Sequence, residues 1–143
     1  MNIGSFLSAG VRSLLFVHCL AGALLAPVFA QSAPLRISGT VSYRERIAMP
    51  PGYVVKVQLL DIARQDAAAE TLAEVEITPK HQPPVPFLLT LDESRLDPRA
   101  RYSVRAQIYV GDRMLFTSTR INPVTPGAAP RKMNIMVQRV AAP

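Results

Sequence analysis

Apolar residues recur at every second position along most of the chain beyond residue 34, the period of strands with one buried face. Leu35, Ile37, Val41 and Tyr43 fall on one side of the first such segment, and Arg36, Ser38, Thr40 and Ser42 fall on the other. Val55, Val57 and Leu59 define a second segment, Ala73, Val75 and Ile77 a third, and Val85, Phe87, Leu89 and Leu91 a fourth. Tyr102, Val104, Ala106 and Ile108 mark the fifth, RMLFTSTR supplies the sixth, and Met133, Ile135 and Val137 mark the seventh. Ala and Glu between 62 and 76 would also suit an amphipathic helix, but the alternation Val75, Glu76, Ile77, Thr78 favours a strand.

The breaks between these segments carry turn chemistry. Pro50-Pro51-Gly52 fits neither ladder nor helix, and Gly111-Asp112 between two alternating runs predicts a tight hairpin. Pro86 lacks an N–H and marks its strand as an edge. Asp97-Pro98 followed by Tyr102 fits either a tyrosine corner, with the hydroxyl turned back to upstream backbone, or a plain strand tyrosine. Seven short strands with turns about every ten residues predict an all-β fold, a seven-stranded immunoglobulin-like β-sandwich. An open barrel is the other arrangement compatible with the count.

The segment before residue 34 follows a different pattern. Arg12 precedes an apolar run from Leu14 to Ala26, and Val28-Phe29-Ala30 closes it with the small-x-small pattern of a signal-peptidase site. The run is shorter than the roughly 20 residues that span a bilayer, and Pro27 ends it. The sequence therefore predicts a signal peptide over 1–30 cut after Ala30, a linker over 31–34, one β domain over 35–140 and a short tail over 141–143. Val11 is a second possible start. Cys19, the single cysteine, lies inside the apolar run and follows His18 rather than a small residue, so no lipid anchor is predicted. Once the signal is cut, no membrane span and no thiol remain, and stability in an oxidising compartment rests on packing. The predicted location is the periplasm.

The formal net charge is +6, and Lys56, Lys80 and Lys132 are the only lysines among 16 basic residues. An arginine excess favours acidic surfaces, anionic headgroups or polyanions. It does not form a continuous stripe with stacking aromatics, and export separates the protein from nucleic acid, so no nucleic-acid partner is expected.

Catalytic parts are missing from the pattern. His81 is the only histidine after the predicted cut, sits in a Pro-rich turn, and has no orienting partner. Glu74 and Glu76 share one strand face, an arrangement suited to cross-strand pairing with basic residues. Asp92, Glu93 and Asp97 lack the spacing of a calcium loop and are interleaved with Arg95 and Arg99, which predicts local ion pairing. No Gly-rich phosphate loop is present. No catalytic residue, cofactor or metal site is predicted. The candidate binding residues are Arg36, Arg101, Arg105 and Tyr109, which alternate outward on their strands and offer cations beside an aromatic anchor. The same residues would equally form the wet face of a sheet. The apolar stretch MLFTS after Arg113 reads as an exposed edge strand open to a partner chain.

ISGTVSYRERIAMPPG, VKVQLLDIA, PFLLTL, DPRARYSVRAQI and GDRMLFTSTRINPV, in that order over about residues 37–139, give the chain its family character. Together they resemble the YbaY/YscW family of bacterial envelope proteins, which includes the lipoprotein chaperones, or pilotins, of type III secretion secretins. The resemblance implies an exported, non-enzymatic β-sandwich and, in the pilotin branch, guidance of a secretin subunit to the outer membrane. Members are typically lipidated, and this chain departs there because Cys19 lacks the preceding small residue. The reading is a periplasmic binding or chaperone-like accessory protein whose partner is an outer-membrane or secretion-system protein. Two alternatives are an envelope stress domain binding an anionic glycan or lipid, and an exported enzyme inhibitor presenting NPVTPGAAP as a loop.

Overall fold

Alternation resolves into eight strands: β1 (Pro34–Ser42), β2 (Val54–Asp61), β3 (Glu70–Ile77), β4 (Val85–Asp92), β5 (Tyr102–Val110), β6 (Arg113–Ser118), β7 (Pro123–Val124) and β8 (Arg131–Arg139). The computed structural model describes residues 34–64, 66–128 and 131–141. The predicted signal peptide and its cleavage site lie outside the described residues, as does most of the linker. All seven expected strands form. The sequence pattern missed only the two-residue β7 and a single 3-10 turn over Glu93–Arg95.

Pairing runs β3-β2-β5-β6-β8-β1-β4, with β7 added beside β5. The fold is all-β, as predicted, but the strands follow one continuous path rather than dividing into the two sheets of an immunoglobulin-like sandwich. β8 is the reason. It pairs in parallel with β1 over Arg131–Met136 and then antiparallel with β6 over Val137–Arg139, so it joins the two halves. β3 and β4, the two ends of the path, lie against each other without a ladder, which makes the sheet a nearly closed barrel.

Inward positions match the period-two reading. Val41, Val55, Val57, Leu59, Val104, Ala106, Ile108 and Ile135 are fully buried, and Phe87, Leu89 and Leu91 line β4 from within. Each such aliphatic or aromatic side chain contributes roughly 1.5–3 kcal/mol through apolar burial. The Phe116 ring stacks on Tyr43 with centroids 5.0 Å apart. Ala73, Val75 and Ile77 of β3 are only half-buried, because β3 ends the path.

Gly39 holds the closest approach in the barrel. A Cβ there would sit 1.8 Å from the Met133 carbonyl oxygen, so β8 can lie on β1 only if this position has no side chain. The turns also behave as their residues require. Gly111 takes φ +57° in the two-residue hairpin between Val110 and Arg113. The Asp97 N–H donates to the Tyr102 hydroxyl at 2.8 Å and that hydroxyl donates to the Asp97 carbonyl at 3.4 Å, forming the tyrosine corner. Gln82 clamps Met49 from both sides, accepting from its N–H at 2.6 Å and donating to its carbonyl at 3.0 Å. Tyr53 donates to the His81 carbonyl at 2.5 Å, so the Pro-rich loop carrying His81 is tied to the Pro50-Pro51-Gly52 turn.

β6 differs from its expected role. MLFTS was predicted to be an exposed edge, yet β6 lies between β5 and β8, and Phe116 is 1% exposed. Local alternation reports which face is buried. It carries no information on how many neighbours a strand finds.

Candidate functional site

The outward side chains of β5 and the segment following β6 build a basic groove. Arg101 and Arg105 enter it from the β5 side, Ser118 to Ile121 close the other wall, and Leu60 and Ile62 contribute from the end of β2. Ser103 and Asn122 fix the two walls together. The Asn122 N–H donates to Ser103 Oγ at 3.1 Å, its side-chain amide donates to the Val104 carbonyl at 3.0 Å, and the Val104 N–H donates to the Asn122 carbonyl at 2.9 Å. The arginines therefore stand on a backbone that is hydrogen-bonded on both sides, since β5 also pairs along its length with β2.

At Thr119 and Arg120 this groove meets a second one, lined by Arg44, Glu45, Met136, Gln138 and Arg139. Arg120 thus borders both. The sequence reading puts it at the end of the sixth strand, RMLFTSTR, and does not single it out, whereas β6 ends at Ser118 and Arg120 lies in a bend beyond it. Among the described residues Glu45 is the one carboxylate lining the pair of grooves, and its Oε2 is enclosed without a hydrogen bond. Its charge acts on Tyr43, whose pKa is raised first by burial and then by Glu45.

The four predicted binding residues do not form one cluster. Arg101 and Arg105 share the basic groove. Tyr109 lies at the far end of β5, its ring 5.7 Å from Lys56 Nζ and its hydroxyl 3.2 Å from Gln107 Oε1, in a groove shared with Glu76 and Asp112. Eight residues of strand separate Tyr109 from Arg101, about 26 Å at the usual rise. Arg36 is exposed on β1 opposite Thr90 of β4, with β6 and β8 intervening between β1 and β5.

The acidic side chains have structural partners. Lys56 Nζ lies 2.7 Å from Glu76 and 3.6 Å from Glu74, the cross-strand pairing that the sequence predicts. The Glu76 hydrogen bond leads in raising the Lys56 pKa, while partial burial works against it. Asp92, Glu93 and Asp97 accept backbone N–H groups from Ser94, Gly127 and Arg99 at 2.9, 2.6 and 2.8 Å. At Asp92 and Asp97 the carboxylate accepts the amide two residues on, the local hydrogen bond that short acidic side chains make at turns. Among the described residues no group of three His, Cys, Asp or Glu is placed to hold a metal ion, and no helix is long and apolar enough to cross a membrane. His81 is exposed in its loop. The segment NPVTPGAAP is fastened rather than free over its first residues, with Pro123–Val124 paired to β5 and the Gly127 N–H held by Glu93.

The β domain thus carries cationic grooves on its outer surface. The chain belongs to the family described as type III secretion system lipoprotein chaperone (YscW), whose profile matches residues 32–137. A relative from Escherichia coli (strain K12), the uncharacterized lipoprotein YbaY, is 33% identical over 110 residues, which covers 75% of this chain. The chain spans 58% of that relative's length. The solved structure of an alternative pilotin from the type II secretion system of Vibrio cholerae is similar with a TM-score of 0.70 and 34% identity, covering 77% of this chain and 100% of the other. None of these descriptions names an enzyme.

Proposed function

We propose that this protein is a non-catalytic accessory of the bacterial envelope, acting in the periplasm as a chaperone-like partner of an outer-membrane or secretion-system protein of the secretin kind. The observation that carries the reading is the likeness to a pilotin along that protein's whole length. The basic groove of Arg101, Arg105 and Arg120 suits it to an acidic segment of the partner, because clustered cations on a stiff frame steer association and fix register. Membership of a family described as lipoprotein chaperones supports the envelope location.

The test is crosslinking in living cells followed by identification of what is captured, comparing the natural chain with an Arg101→Glu/Arg105→Glu variant. Capture of one outer-membrane or secretion protein, lost in the variant, is the expected outcome. Recovery of the protein with nothing attached, together with salt-sensitive binding to anionic vesicles, would overturn it in favour of headgroup recognition.

A further inference from the structure

The barrel has a gap in its hydrogen bonding on one side of β8. β6 accompanies β8 only over Phe116–Ser118, and the chain then bends toward β5 to form β7. Among the described residues no strand pairs with β8 on that side over Lys132–Met133, and an open groove lies there between Ile121, Asn122 and Pro123 on one wall and Lys132 and Met133 on the other.

The direction of the unpaired groups follows from the register. The Val140 N–H donates to the Leu115 carbonyl, and the β6–β8 pairing continues through Thr117 opposite Gln138. In an antiparallel ladder, hydrogen-bonding residues alternate, so even-numbered residues of β8 turn their N–H and C=O toward β6 and odd-numbered ones turn toward β1. Past the last paired residues, the main-chain groups of Asn134 and Lys132 therefore face the groove. Ile121, 69% exposed, stands beside them, with Met133 half-buried on the opposite wall. Lys132 is exposed on one wall, and Arg120, the exposed residue just before Ile121, adds a second cation where the neighbouring basic groove meets this one at Ile121.

We propose that this edge of β8 takes an extended acidic segment of the partner protein as an added strand. Its main chain pairs with Lys132 and Asn134, alternate apolar side chains rest on Ile121 and Met133, and its carboxylates face Lys132 and Arg120. Strand addition uses backbone bonds for affinity and alternate side chains for selection, and the cationic rim selects an acidic sequence over a basic one. The proposal rests on the reading that this domain binds another envelope protein, and it names the chemistry of the bound segment.

The test uses the full chain, purified as exported from cells, and an end-blocked octapeptide alternating Val and Asp. Two further versions carry N-methyl groups on one or the other set of alternate amides. Strand addition predicts that one methylated version loses at least about ten-fold in affinity while the other binds like the parent, and that the peptide slows hydrogen exchange at Lys132 or Asn134. Equal binding by both methylated versions would overturn the proposal, as would equal binding of a Val/Lys peptide. Ile121→Glu, on an exposed side chain, is expected to weaken the peptide about ten-fold with an unchanged thermal midpoint, and unchanged affinity would count against the edge. In cells, partner capture that survives Ile121→Glu would overturn the edge while leaving the accessory role standing. Peptide binding without any cellular capture would support the edge and overturn that role.

Discussion

Among the described residues the hydrogen bonding of this barrel is interrupted in two places, and they are built differently. Where β3 meets β4, β3 turns Glu70, Glu74 and Glu76 outward, and β4 carries Pro86, which has no N–H to offer a new strand. Behind them Leu72, Val75 and Ile77 pack against the core. Where the chain leaves β8 after β6, there is no proline on the β8 edge, the nearby charges are basic, and Ile121 is open to solvent. Charge, proline and packing are the usual means of blunting a sheet edge. The β3/β4 gap uses all three, whereas the β8 edge carries the charge of Lys132 but no proline, so a missing ladder alone does not distinguish a sealed joint from a docking edge.

The contrast is broken most severely by Gly39→Ala. The added methyl would press on the Met133 carbonyl, a backbone atom that cannot rotate away, and force β1 and β8 apart. A loss of about 3 kcal/mol is expected, the upper range for overpacking, read as a lower urea midpoint. An unchanged midpoint would mean that β8 tolerates displacement from β1. Tyr102→Phe comes next. It leaves the Asp97 N–H without its acceptor at the corner that leads into the β5–β7 pairing, and about 1.5 kcal/mol of stability should be lost.

Alkaline titration probes the opposite end of the barrel. Burial raises the pKa of Tyr43 and Tyr53 above the ordinary value of 10.0, with weaker help from Glu45 for Tyr43 and from Tyr43 for Tyr53. The unfolded chain then gives up these protons at lower pH than the folded chain. Their contribution is intact below 10.0 and is lost as pH rises through the raised folded values. Urea midpoints should fall above pH 10, and Tyr53→Phe should flatten that decline. The smallest effect is expected from Lys56→Met, which keeps the aliphatic stem and removes both cross-strand ion pairs. If the β3 joint is held by packing, its midpoint stays within error of the natural chain and only its salt dependence changes.

The elements were legible where chemistry is local. Period-two burial located seven strands, Gly111-Asp112 its hairpin and Pro86 its edge strand, while Asp97-Pro98 with Tyr102 left the corner as one of two readings that the structure decides. Pairing was not legible, because it depends on residues far apart in sequence. β6 reads as an edge until β8 is seen to reach it, and the division into two sheets fails for the same reason. The basic groove was half visible. Arg101 and Arg105 stand on an alternating strand, whereas Arg120 lies in a bend, where only the folded chain brings it beside them.

Pairing β1 with β8 also fixes an order of events. Thr40 Oγ1 donates to Asn134 Oδ1 across 94 residues of sequence, so the first strand to leave a ribosome or a translocation pore meets its parallel neighbour only when the last strand follows. Closing so long a loop costs entropy before any contact repays it, and such topologies fold slowly. Until β8 is available β1 has only β4 as a paired neighbour, and its other side stays bare. The barrel therefore closes only once β8 is available, because among the described residues β8 alone joins the β1–β4 pair to β6.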